Sequence, residues 1–215
     1  MEMLDGLLQT YLENHCEPEP EILQKIARQT HLKVLRPHMI SGHYQGRLLS
    51  FFSKLLQPKA ILEIGTFTGY ATICLAEGLA ENGEIDTIEV DPELEDLLKS
   101  NFLASGYVNK IKLYIGETFD IFPVLSHKIY DIAFIDADKR NNYKYYELIL
   151  DNIRPGGLII VDNILRKGKI ADNSFQEKDM QLLRDFNDKI TADLRVENLI
   201  LPVRDGLMII RKKQL

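Results

Sequence analysis

The stretch ILEIGTFTGYATICLAEGL, residues 61–79, opens as an apolar strand, breaks at Gly65 and Gly69, and resumes with apolar residues at helical spacing. A strand that hands over to a helix through a bare backbone belongs to a parallel sheet with helical crossovers. Around it, the runs AILEI (60–64), EIDTIEV (84–90), KIKLYI (110–115), YDIAFID (130–136), GLIIVD (157–162), RVENLILPV (195–203) and GLMIIRK (206–212) read as strands. The first five start 20 to 27 residues apart, room for a strand, a crossover helix and two loops. A tight turn near Arg204-Asp205-Gly206 joins the last two, so the sheet is expected to end in an antiparallel hairpin. Upstream, Glu2 to His15, Pro20 to Thr30 and Gln45 to Leu56 carry apolar residues at helical spacing. The expectation is an α/β fold: seven strands, mostly parallel, with a C-terminal antiparallel hairpin and helices on both faces. It forms one domain over 1–215, with a helical N-terminal region at 1–58 followed by a core at 59–215.

A chain of 215 residues with 45% hydrophobic side chains can fill one large core. Against 26 basic side chains stand 32 acidic ones, a net charge of −6, with a pI near 5.4. No overall positive field draws nucleic acid or an anionic membrane, although a local basic patch stays open. Cys16 and Cys74 make neither a disulfide framework nor a Cys-x-x-Cys pair, which fits a reducing compartment. The N-terminal stretch is acidic and amphipathic, and no run approaches the ~20 apolar residues of a spanning helix. A cytoplasmic protein without a membrane partner is expected.

Gly65 and Gly69 fall at the carboxyl edge of the sheet, where open α/β folds bind ligands. G-x-G-x-x-G is absent, and no lysine follows Gly69 to make G-x-x-x-x-G-K-[ST], so this turn is not built for a pyrophosphate. Glu63 ends the first strand and Glu89 the second. Two acids beside a glycine turn suit a cationic, hydroxyl-bearing ligand, and Glu89 is spaced to accept both ribose hydroxyls. For the glycines alone, an ordinary tight turn is the bland alternative.

With these residues in place, the sequence resembles the class I S-adenosylmethionine-dependent methyltransferases, in particular the small cation-dependent O-methyltransferases that include catechol and caffeoyl-CoA O-methyltransferases. The resemblance runs from about Arg36 to Arg211 through HMISGHYQGRLL, LEIGTFTGYAT, IEVDPE, FIDADK and GGLIIVDN, in the family's order and spacing. It implies a Rossmann-like fold and S-adenosylmethionine as cofactor. Met39 and Ser41 would line the methionine end, with Ala71 close by; Glu63, Gly65 and Thr66 would bracket the amino acid moiety. Glu89 would take the ribose, and Gly116, Glu117 and Thr118 would flank the adenine.

Asp136 ends YDIAFID and Asp162-Asn163 ends GLIIVDN, so with the fourth and fifth strands adjacent, three oxygen ligands converge. They suit a hard cation, Mg²⁺, with Mn²⁺ or Ca²⁺ as substitutes. The alternative is that Asp136 caps the next helix and Asp162-Asn163 forms an Asx turn. The resemblance assigns all three to the metal, counts Asp136 with the cofactor and catalytic residues too, and gives Lys139 the role of base. The acceptor is then a hydroxyl of a small catechol-like or vicinal-diol molecule.

Other residues are weaker candidates. His38 and His43 read as structural, and in NNYKYYELIL (141–150) the spacing of Tyr143, Tyr146 and Leu150 points to the core. Arg166, Lys167 and Lys169 follow the metal pair where several relatives are less charged. They form either a solvated loop, within the polar stretch 166–179, or a seat for an anionic acceptor. A tRNA hydroxyuridine O-methyltransferase is the alternative function, disfavoured by the net charge without being excluded. An NAD-dependent oxidoreductase lacks its glycine fingerprint, and a noncatalytic binding protein would not need Asp136, Lys139, Asp162 and Asn163 together. The stripes Leu4, Leu7, Leu8, Tyr11 and Leu48, Leu49, Phe51, Phe52, Leu55 exceed what one sheet face needs, and predict a homodimer.

Overall fold

The computed structural model of the chain describes residues 6–214; the expected helix start at Glu2, and Leu4 in its stripe, lie outside the described residues. Seven strands make one sheet in the order β3-β2-β1-β4-β5-β7-β6: β1 (Ala60–Ile64), β2 (Glu84–Glu89), β3 (Ile111–Ile115), β4 (Tyr130–Ile135), β5 (Ile153–Asp162), β6 (Val196–Leu201) and β7 (Leu207–Lys212). The chain divides into two compact units, Gly6–Leu125 and Ser126–Leu215.

In Gly6–Leu125, β1, β2 and β3 pair in parallel, with Glu63 opposite Thr87 and Ile88 opposite Tyr114. The helices are α1 (Gly6–Asn14), α2 (Glu21–Lys33), α3 (His43–Leu56), α4 (Tyr70–Ala76), α5 (Glu95–Ser105) and α6 (Thr118–Leu125). α4 is buried along its whole length, so its sequence is apolar or small throughout. α3 is fixed to the end of α4 by a charged cluster: Glu77 accepts from Arg47 at 2.7 and 2.9 Å, Ser50 at 2.6 Å and Lys54 at 2.9 Å. Arg47 is only 8% exposed, and such a buried charge is tolerable only when paired.

In Ser126–Leu215, β4 and β5 are parallel, while β7 runs antiparallel to both β5 and β6. α7 (Asn142–Ile149) and α8 (Lys178–Ala192) complete this unit. β5 begins four residues before the expected Gly157, because a register shift between Tyr130 and Ile132 lets Arg154-Pro155-Gly156 bulge out while pairing resumes at Leu158. The expected hairpin is present. Its turn needs Gly206, with φ 89°, since an added Cβ would lie 2.3 Å from Leu165 Cγ. Tyr146 and Leu150 are buried as expected, whereas Tyr143 is half-exposed under Lys189 and Tyr145 takes its core place. Among the described residues, no helix is long and apolar enough to cross a membrane.

Candidate functional site

The turn that follows β1 is wound tightly. Gly65, Phe67 and Gly69 take positive φ of 92°, 52° and 81° within five residues, a strained conformation for Phe67 that surrounding contacts must hold. Glu89, at the end of β2 and 6% exposed, supplies them: its Oε2 accepts the backbone N–H of Thr66 at 3.1 Å and of Phe67 at 2.6 Å. Its Oε1 accepts from Asp91 N at 2.9 Å. Asn101 donates to Thr68 O from α5. A Cβ on Gly69 would fall 2.6 Å from Phe102, so α5 also packs against the turn too closely for any other residue there.

Glu63 lies beneath the turn, fully buried, its Oε2 accepting from Thr72 Oγ1 at 2.5 Å and Thr87 Oγ1 at 2.6 Å. Thr66 Oγ1 and Thr87 Oγ1 are 2.6 Å apart. The threonines are the partners that sequence reasoning missed; Thr87 is visible only once the strand register sets it opposite Glu63. Gly116 donates to Glu89 O at 2.8 Å, leading into exposed Glu117 and buried Thr118 at the start of α6. Ala71 is in the first turn of α4; Met39 ends the tight turn Pro37–Met39 and Ser41 follows it, Met39 half-exposed and Ser41 buried. Every expected cofactor residue except Asp136 thus belongs to Gly6–Leu125. Seven of these ten lie at the carboxyl ends of β1, β2 and β3.

Asp136, Lys139, Asp162 and Asn163 belong to Ser126–Leu215. Ile135 pairs with Val161, so Asp136 and Asp162 come next on neighbouring parallel strands. Lys139 Nζ donates to Asp136 Oδ1 at 3.0 Å, both side chains about one-fifth exposed. The cap of the following turn, Lys139–Asn141, is Asp138 rather than Asp136: its carboxylate accepts from Asn141 N and from Tyr145 OH at 2.7 Å. A capping signature, Asp138 three residues before Asn141, was the available signal. Asp162 Oδ1 accepts Asn163 N at 2.6 Å and Nδ2 at 3.1 Å, which turns the amide nitrogen inward and leaves Asn163 Oδ1 as a donor oxygen for another ligand. Among the described residues no cluster of three His, Cys, Asp or Glu could hold a metal. The set here is two carboxylates and an amide, which fits a hard cation that keeps positions for water and substrate.

A hollow of about 360 Å³ adjoins Lys139, lined by Asp138, Arg140, Asp179 and Leu182. One of about 370 Å³ lies at the far end of α4, around Lys54, Glu77 and Glu81, away from the glycine turn. Size does not decide between them; the first adjoins a candidate catalytic group. Cys74 is no nucleophile, since burial pushes its thiol up to about 12. His43 Nε2 lies 2.8 Å from Glu17 O, a contact between chain segments.

A family model described as O-methyltransferase matches residues 13–213. A catechol O-methyltransferase of Niastella koreensis is 37% identical over 160 residues, 73% of this chain and 72% of that one. A probable caffeoyl-CoA O-methyltransferase 2 of Dictyostelium discoideum is 33% identical, covering 94% of this chain and 90% of its own. An O-methyltransferase from Bacillus cereus, solved in complex with SAH, superposes with a TM-score of 0.88 at 30% identity over 96% of this chain and 97% of that one.

Proposed function

The chain belongs to the O-methyltransferase family, and from that premise we propose that it is a divalent-cation-dependent enzyme acting on a hydroxyl of a small catechol-like or vicinal-diol acceptor. The methyl donor is S-adenosylmethionine, whose product SAH occupies the Bacillus cereus relative. The observation that carries the reading is Asp136 beside Asp162 at the ends of β4 and β5, with Lys139 on Asp136.

Asp136, Asp162 and Asn163 would hold the cation. When bound, it supplies a Lewis acid that stabilises negative charge on a neighbouring hydroxyl oxygen. Lys139, in its neutral amine form, would receive the hydroxyl proton at Nζ, and its hydrogen bond to Asp136 Oδ1 keeps it oriented to do so. Glu89 takes the ribose hydroxyls while its backbone bonds keep the glycine turn in shape. Glu63 supports that turn from below through the threonines. Much of the acceleration comes from alignment of sulfonium methyl and nucleophile, up to ~7–11 kcal/mol in favourable cases.

The same reading makes the protein a homodimer of the cytoplasm. The test is methyl transfer to a panel of catechols, catechol acids, CoA thioesters and undermodified tRNA, each with and without Mg²⁺. Transfer to a catechol only with Mg²⁺ supports the reading; transfer to tRNA alone refutes it.

A further inference from the structure

The turn Arg166–Ala171 is a basic island in an acidic chain. Arg166, Lys167 and Lys169 stand within four positions, three residues past Asn163, and all three are exposed. Among the described residues no acid forms an ion pair with any of them; Lys169 instead lies over the ring of Phe175. Asp205 and Asp172 are the near acids. Asp205 Oδ1 accepts Lys167 N at 3.0 Å, and Asp172 is engaged by Ser174, whose N–H it accepts at 2.8 Å, and by the charge of Arg184. Like charges on one short turn repel, a cost that a bound anion lowers.

The shape of the turn is imposed on it. Arg166, Lys167 and Gly168 all take positive φ, 48°, 55° and 79°, a run that ordinary side chains avoid. Arg184 of α8 ties down its C-terminal end and the stretch that follows by donating to three backbone oxygens: Ile170 O at 3.0 Å, Asp172 O at 2.7 Å and Phe175 O at 2.8 Å. From the same helix Asp179 accepts from Arg140, which lines the hollow beside Lys139. One helix therefore contacts the turns that follow both β4 and β5, the strands that lead to Asp136 and Asp162.

We propose that the turn Arg166–Ala171 is a receptor for an anionic group, carboxylate or phosphate, carried by a small methyl acceptor. Arg166, Lys167 and Lys169 make the contacts, and Arg184 is the positioning residue that keeps them in place. The proposal rests on the O-methyltransferase reading, and a measurement without turnover separates the two.

Three acceptors decide it: neutral catechol, a dihydroxybenzoate, and the CoA thioester of a dihydroxycinnamic acid. The wild-type enzyme is expected to favour an anionic acceptor over catechol in kcat/KM. In Arg166→Gln/Lys169→Gln that preference falls about a hundredfold, about tenfold for each of the two charge-assisted contacts removed. In Arg184→Gln the ratio of KM values for anionic and neutral acceptors moves the same way, which a loss of folded protein alone would not produce. At 1 M salt, with a screening length of about 3 Å, the wild-type preference shrinks too. A gain limited to the thioester assigns the anion as phosphate; a gain with the benzoate assigns it as carboxylate. Equilibrium dialysis of the dihydroxybenzoate is expected to give weaker binding to the double variant, whether or not any acceptor is methylated. If dialysis discriminates but no acceptor turns over, the receptor stands and the catechol reading falls. Equal binding by both proteins, an unchanged acceptor ratio in the double variant, or a preference for tRNA alone overturns the receptor.

Discussion

Glu89 Oε2 accepts the backbone N–H of Phe67 at 2.6 Å, tying the acid that ends β2 to the strained residue of the turn that follows β1. The carboxylate expected to hold ribose also shapes the loop around it. Glu89→Ala should therefore weaken S-adenosylmethionine and SAH by more than the ~1.5–3 kcal/mol of one charge-assisted bond, and lower thermal stability as well. Calorimetry and a melting curve separate the two losses. Unchanged affinity for both ligands would remove Glu89 from the cofactor site.

Lys139 is paired with Asp136 at 3.0 Å. Lys139→Ala should leave cofactor binding nearly intact and lower kcat by ~10²–10⁴, as for other positioned acid–base groups. Raising the pH should partly restore the rate, because solvent then takes the hydroxyl proton. A variant that keeps wild-type kcat throughout a pH profile on both sides of neutrality would make the lysine a bystander.

Leu7, Tyr11, Phe51 and Leu55 are 80, 58, 60 and 66% exposed on α1 and α3, a face that a second copy would cover. Light scattering is expected to give twice the chain mass of 24.7 kDa for the wild type and the chain mass for Phe51→Glu/Leu55→Glu. A wild-type value of 24.7 kDa at micromolar concentration contradicts the homodimer.

The Arg195 guanidinium, 2.6 Å from Asp193, holds that carboxyl down to about 2 from 3.8, with Tyr146 OH adding a bond at 2.8 Å. A depressed folded pKa stabilises the protein above the unfolded value, and that contribution is lost as pH falls from 3.8 towards 2. Asp193→Asn should cost about 1 kcal/mol at pH 7, a figure discounted because Arg195 is 42% exposed. The melting temperature should then drop by about 2–4 °C, and the gap should close near pH 2. A gap that persists there would assign the loss to packing.

Much of this fold could be read in advance because each parallel strand is a short apolar run bounded by turn residues. β1 matches its expected limits, Ala60 to Ile64, and the hairpin was announced by Arg204-Asp205-Gly206. The start of β5 was hidden because Arg154-Pro155-Gly156 has the composition of a turn, and only pairing with β4 keeps it in the strand as a bulge. The spacing of Tyr143 to Tyr146 and Leu150 points to the core, but the buried face of α7 runs through Asn142, Tyr145, Tyr146 and Ile149, which leaves Tyr143 at its edge. Strand ends disclosed the acids Glu63, Glu89, Asp136 and Asp162. Their partners Thr72, Thr87 and the N–H groups of Thr66 and Phe67 depend on register and loop conformation, which no local pattern encodes.

The central claim is that Asp136, Asp162 and Asn163 carry a cation on which turnover depends. Its most direct test is the rate of labelled methyl transfer from S-adenosylmethionine to a verified catechol acceptor, measured in chelator and again after Mg²⁺ is added in excess. The account predicts that wild-type protein stops in chelator and recovers with Mg²⁺, while Asp162→Ala binds S-adenosylmethionine but does not recover. Full wild-type turnover in chelator, or full activity of Asp162→Ala there, would contradict it.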